Sequence, residues 1–181
     1  MMIARLFTVL ALLLCVSCTI SYPNRNPVGE PFPLASGESL AGEATELPTD
    51  LSGSPAVLLV GYEQDSQFDL DRWILGLQQA EISVRALEVP TIPAGIPTMI
   101  SGWIDNGMRR GIPQEDWAGV VTLYGAEADK VARFTGTEKL LNGRILLLDA
   151  QGVVRWFWDQ GYSARRLLHL DKAIEALGRA R

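Results

Sequence analysis

Two kinds of apolar pattern alternate along the chain. Ala56-Val57-Leu58-Leu59-Val60-Gly61-Tyr62 is one unbroken apolar run, introduced by Pro55. So short a run predicts a central strand covered on both faces, because a half-exposed strand would alternate with polar residues. Leu70, Trp73, Ile74 and Leu77 then recur at i, i+3, i+4 and i+7, the stripe of an amphipathic helix. Ser66-Gln67-Phe68-Asp69 just before it has the spacing of a capping box, with Asp in the acidic place. Val84 to Val89 predicts a second strand, and Pro90, Pro93 and Pro97 predict irregular chain until Thr98. Ile100, Trp103, Ile104 and Met108 predict another helix, with Arg109 and Arg110 at its negative end and Gly111 as its left-handed stop.

The pattern then tightens. Val120 to Tyr124 reads as a third strand, and Ala128 to Phe134 as a short helix ending at Gly136. Arg144 to Asp149 is a buried strand and Asp149-Ala150-Gln151-Gly152 a tight turn whose glycine supplies the positive φ. Val153 to Trp158 is the returning strand of an antiparallel hairpin. Ser163 opens a final helix with Leu167, Leu170, Ile174 and Leu177 on one stripe. Phe32 to Leu51 reads as a loose hairpin ahead of all this. Alternating strands and helices require parallel strands with helices on both faces, and the late hairpin adds an antiparallel edge. The expectation is an α/β domain over residues 31–181, with a central mixed sheet and a C-terminal hairpin plus helix.

The first residues follow a different logic. Arg5 precedes an apolar run from Leu6 to Ser17 that ends in Cys15-Val16-Ser17-Cys18. This has the form of a lipoprotein signal over residues 1–17, with small Ser17 before the cysteine to be acylated and Cys18 as the first mature residue. An uncleaved anchor and ordinary secretion are the competing readings; all three put the folded body outside the cytoplasm. Thr19 after Cys18 supplies no inner-membrane retention signal, which favours a bacterial outer membrane, facing the periplasm, over the inner one. Residues 18–30, with Pro23 and Pro27 and no periodicity, read as a flexible tether.

Composition narrows the classes of function. Loss of residues 1–17 removes Arg5 and no acid, leaving a net charge of −6, and no basic patch exceeds Arg109-Arg110 or Arg165-Arg166. Nucleic acid is therefore excluded as a partner. No cysteine follows Cys18, so the mature domain has no disulfide and its stability rests on packing. His169 is the one histidine, so no metal site is expected, and no phosphate-binding glycine loop or nucleophile elbow is present. No cofactor is implied.

The order of elements, with the entry Pro31-Phe32-Pro33-Leu34, the lead Leu51-Ser52-Gly53-Ser54-Pro55 and the Leu146 to Val153 turn, resembles the thioredoxin-like superfamily. The likeness is to the version shared by peroxiredoxins and membrane-tethered thioredoxins of cytochrome maturation. It implies a redox thiol in the loop after the first core strand and a cis-proline before the hairpin. Here the loop is Tyr62-Glu63-Gln64-Asp65-Ser66-Gln67-Phe68, without cysteine, and Asn142-Gly143-Arg144 stands in the proline's place. By resemblance the fold is kept and the oxidoreductase chemistry is not. Asn142 to Asp149, with Gly152, Val154-Arg155-Trp156 and Gly161, is also similar to a mitochondrial ATP-synthase assembly factor family, which implies assistance to a membrane complex.

The candidate site follows from that resemblance. Tyr62, Glu63, Asp65 and Ser66 facing Asn142, Gly143 and Arg144 form the expected surface for a protein partner. Arg155 and Trp156 on the return strand are added as possible contacts, because strand alternation puts Trp156 and Trp158 on one face and Phe157 on the other. The stretch Pro90 to Trp117 is a second candidate surface. Binding rather than catalysis is the leading expectation. The alternatives are acid–base chemistry by Glu63 and Asp65, and a degenerate thiol enzyme using Cys18.

Overall fold

The computed structural model describes residues 21–93 and 101–179. Its centre is a seven-stranded sheet in the order β2-β1-β5-β4-β3-β6-β7. The strands are β1 (Ala35–Ser39), β2 (Ala44–Leu47), β3 (Ala56–Gly61), β4 (Arg85–Pro93), β5 (Val121–Tyr124), β6 (Arg144–Leu148) and β7 (Val154–Trp158). The helices are α1 (Gln67–Gln79), α2 (Ser101–Gly111), α3 (Gly125–Thr135) and α4 (Ala164–Arg179). β3, β4 and β5 are parallel neighbours, while β6 and β7 continue the sheet antiparallel beyond β3. The mixed sheet predicted from the alternation is thus present.

β3 is buried at every position, as its unbroken apolar run requires. Val57 and Leu59 pack with Leu70, Trp73 and Leu77 of α1 and with Leu167 and Leu170 of α4. Ala56, Leu58 and Val60 face the other layer, with Val131 and Ala132 of α3 and Val121 and Leu123 of β5. β6 divides the same way, Ile145 and Leu147 against Leu146 and Leu148. Burying one such side chain contributes about 1.5–3 kcal/mol, so these two strands hold the helical layers together.

Four features differ from the sequence expectation. The N-terminal hairpin is not loose: β1 pairs with β5, with Glu38 opposite Thr122, and extends the same sheet at its other edge. Burial of Ala35, Leu40 and Leu47 drives it there. β4 runs through Pro90 to Pro93 instead of stopping at Val89. Pro90 stands opposite Gly61, the last residue of β3, and beyond it β4 pairs with β5 through Thr91 and Ile92. The missing proline N–H falls where the β3 pairing ends, so it costs the sheet little. Gly111 lies within α2 and is not among the positive-φ glycines. The Ile112 N–H bonds the Met108 carbonyl at 3.0 Å, so the helical pattern continues past the expected stop.

The fourth difference concerns the tether. Residues 21–30 are docked on the domain, not free. The Tyr22 N–H donates to Thr137 Oγ1 at 2.9 Å, and the Thr137 N–H returns a bond to the Tyr22 carbonyl at 2.8 Å. Asn24 Oδ1 accepts the Glu138 N–H at 2.9 Å. Gly29 and Glu30 bond both backbone groups of Val154 at the outer edge of β7. Gly136, at φ 80, is what allows the close approach: a Cβ there would collide with the backbone of Pro23 and Asn24. Pairing with loop backbone that lacks sheet partners gives this segment its order without any periodicity of its own. Cys18, the signal over residues 1–17 and the start of the Thr98 helix lie outside the described residues.

Candidate functional site

The chain leaves the carboxyl end of β3 at Gly61 and Tyr62, makes a 3-10 turn over Gln64–Ser66 and enters α1 at Gln67. Glu63, Gln64 and Asp65 are exposed there, whereas Ser66 is buried. The capping box expected at Ser66 and Asp69 does not form. Ser66 makes no side-chain cap, and its hydroxyl donates to the Glu63 carbonyl at 2.6 Å. Asp69, 8% exposed, turns across to two other loops. Its Oδ2 accepts the Gly143 N–H at 2.8 Å and its Oδ1 accepts the Tyr162 N–H at 2.6 Å. Two amides given to an ionised acceptor form stronger bonds than a reciprocal cap, and the carboxylate still offsets the α1 dipole. Gly143 fits because a Cβ there would run into the Leu70 side chain.

Arg144 opens β6 opposite Val60 and has no exposed surface. Its Nη1 donates to the carbonyls of Lys139 and Asn142, each at 2.6 Å, and its Nη2 donates to Asn24 Oδ1 at 3.2 Å. The guanidinium lies 5.3 Å from the centroid of the Tyr62 ring. Burial lowers its pKa, against the opposing pull of Tyr62 and Asp159, yet a guanidinium stays cationic. Tyr62 is 8% exposed, and its hydroxyl shares a 2.6 Å bond with Thr135 Oγ1. Burial pushes its pKa far above the usual phenol range, outweighing the Thr135 bond and the Arg144 charge, so the hydroxyl stays neutral. Asn142 Nδ2 donates to the Asp159 carbonyl at 3.0 Å, and Asn24 Nδ2 to Asp159 Oδ2 at 3.1 Å.

Tyr62, Ser66, Asn142, Gly143 and Arg144 therefore converge at one end of the sheet, beside exposed Glu63 and Asp65. Tyr62, Ser66, Gly143 and Arg144 are buried and shape the surface from below; Glu63, Asp65 and half-buried Asn142 present it. Exposed Phe68 and Leu141 flank the Asp69–Gly143 bond in sequence, on α1 and on the loop before β6. Arg155 and Trp156 do not join this group. Arg155 Nε donates to Asp149 Oδ2 at 2.6 Å, at the hairpin turn and thus at the other end of β6 and β7. Trp156 packs edge-on against Trp73 with centroids 6.1 Å apart, and Arg166 lies 4.0 Å over the ring of Trp158. Those aromatics belong to the packing under α1 and α4.

The sequence marks Asp69 as an acid at the helix start and gives no sign of Asn24, Thr135 or Asp159. Asp69 carried a signal, an acid in the first turn of a helix, that a cap explains equally well. Asn24 sits in Pro23-Asn24-Arg25-Asn26-Pro27, where no periodicity exists to mark it. The Pro90 to Trp117 stretch contributes a separate, polar recess of about 390 Å3 between α2 and the β1–β5 edge, lined by Glu38, Ser101, Asp105, Arg109 and Tyr124 among others. The Tyr124 hydroxyl donates to Asp105 Oδ1 at 2.7 Å across its lining.

The fold is thioredoxin-like, and solved structures share it over most of their length. BsSco, described as a member of the Sco family of cytochrome c oxidase assembly proteins, superposes with a TM-score of 0.57 at 11% identity over 85% of this chain and 98% of its own. Yeast Sco1 with copper bound gives 0.52 at 16% identity, over 85% and 94%. The exposed lipoprotein thioredoxin Etrx1 of Streptococcus pneumoniae gives 0.55 at 13% identity, over 77% and 98%. No protein-family model matches the sequence, and no curated protein does.

Copper does not fit the residues at this site. The loop offers the carboxylates of Glu63 and Asp65 and the amide of Gln64, with no thiolate or imidazole. Among the described residues no group of three His, Cys, Asp or Glu is placed to hold a metal ion.

Proposed function

We propose that this chain is a lipid-anchored thioredoxin-fold protein of the bacterial envelope that binds a protein partner without thiol chemistry and assists assembly of a membrane complex. Cys18 carries the lipid, and the surface formed by Glu63, Asp65 and Asn142 carries the contact. One observation supports the binding reading most: the β3–α1 loop, where the fold's redox thiols would stand, holds acids over a floor braced by the bonds of Asp69 to Gly143 and of Arg144 to Lys139 and Asn142. A floor braced in this way suits recognition, since little order is lost on docking. The solved relatives described as assembly proteins and as an exposed lipoprotein support the setting.

The test is crosslinking of the anchored protein in intact cells, with Cys18→Ala as control. The expected result is one or a few membrane-complex subunits recovered with the wild type and depleted in the control. Recovery of none, or equal recovery from both, would sink the reading.

A further inference from the structure

The docked N-terminal segment fixes more than its own conformation. Tyr22 and Asn24 are bonded to the loops before β6 and after β7, Asn24 touching Arg144, Glu138 and Asp159 directly, while Gly29 and Glu30 bond Val154 at the start of β7. Those loops belong to the end of the sheet that carries Tyr62 and Asn142. Between Cys18 and docked Tyr22 stand only Thr19, Ile20 and Ser21. Four residue steps, fully extended, span at most about 14 Å. A tether of thirteen free residues would let the domain take any orientation, whereas docking from Tyr22 leaves only that short reach.

We infer that the segment is a docked spacer that turns the Asn142–Arg144 end of the fold towards the bilayer, and that the partner seated there is the membrane-proximal part of an integral membrane protein. The inference rests on the proposed anchor at Cys18, and it holds as well for an uncleaved apolar anchor ending at Ile20. The opposite end of the domain is held away. α1 starts beside the site at Gln67 and runs thirteen residues to Gln79, about 20 Å along its axis. Leu141, exposed on the loop next to Asn142, is the apolar residue best placed to meet a partner at the membrane surface, and Gln79 is the distal reference.

The acylated full-length protein is placed in phosphatidylcholine vesicles containing a lipid spin-labelled at its headgroup. A fluorophore is attached to Leu141→Cys in one sample and to Gln79→Cys in another. Quenching at position 141 is expected to exceed that at 79 by at least about threefold, because the distance difference is close to the helix length. Thr137→Val and Gly136→Val, which loosen the docked segment by independent routes, should bring the two positions together. Equal quenching in membrane-bound wild type overturns the inference and leaves the anchor reading standing. Failure of the wild type to bind vesicles, or labelling of Cys18 by the fluorophore, overturns the anchor reading itself and the inference with it. In cells, a photo-crosslinker at Leu141 should capture a protein with membrane-spanning segments. Capture of phospholipid alone, of a soluble protein, or of nothing overturns the proposed occupant.

Discussion

Asp69 offers the sharpest test of how the site is built. Its carboxylate is almost buried and holds the amides of Gly143 and Tyr162, which belong to separate loops. In Asp69→Ala both amides lose their acceptor. Hydrogen bonds to a charged group contribute about 1.5–3 kcal/mol each, and a buried donor left unpaired costs a similar amount. Because Tyr162 is only half-buried, water can replace part of the second bond, and the total falls to roughly 3–4 kcal/mol. For a domain of this size that is a drop in Tm of roughly 6–15 °C. Asp69→Asn keeps one acceptor and should lose about half as much. Ser66→Ala removes a single bond to a carbonyl, worth about 1 kcal/mol. Urea unfolding followed by tryptophan fluorescence measures all three. If Asp69→Ala cost no more than Ser66→Ala, the two would be acting as a reciprocal helix cap, and the bridging role of Asp69 would be refuted.

Three further outcomes follow from the same geometry. Arg144→Lys should destabilise by about 2–3 kcal/mol in urea unfolding, because the single nitrogen of an ammonium cannot take the places of the two separate nitrogens from which the guanidinium fork reaches its three oxygens. Burial pushes Asp149 upwards, but bonds from Val153, Arg155 and Gln151 outweigh it and hold the pKa below its usual 3.8. That carboxylate therefore stabilises the fold above about pH 4 and loses its effect as pH falls through the lowered value, so the cost of Arg155→Ala should stay level from neutral pH down to about pH 4 and shrink only below it in pH-dependent unfolding. Glu88 shows the reverse sign. Burial raises its pKa from 4.5, with Asp71 and Asp116 adding to the rise against the Gln67 bond. Its charge is a penalty at neutral pH, so Glu88→Gln should be more stable than wild type at pH 7, with the gap closing as pH falls to about 4.

What the sequence displayed was mostly what burial writes. β3, β6 and the α1 stripe are legible because each face must be apolar where a layer covers it, and all three lie where the pattern put them. The turn at Gly152 and the end of α3 at Gly136 are legible because positive φ selects glycine. Pro90 misled because a proline is read by its missing donor, while what matters is whether a neighbour asks for that donor. Residues 21–30 misled for a related reason: their order comes from bonds to Thr135, Thr137 and Val154 more than a hundred residues away, and a local pattern carries no trace of them. Within the site, the Tyr62 and Asn142 loops were found through resemblance to the fold, and their convergence holds. Arg144 belongs to the surface expected from that resemblance, and its guanidinium is bonded to the carbonyls of its own loop.

The central claim is that the acidic rim above this floor is where a partner binds. The direct measurement is the affinity of the partner recovered by crosslinking for purified wild type and for Glu63→Arg/Asp65→Arg, with Gln78→Arg/Gln79→Arg at the far end of α1 as the reference pair. The account predicts that the first pair weakens binding at least about tenfold, equivalent to about 1.4 kcal/mol, and that the second leaves it unchanged. Equal affinity for all three proteins, or a larger loss in the Gln78/Gln79 pair, would contradict it.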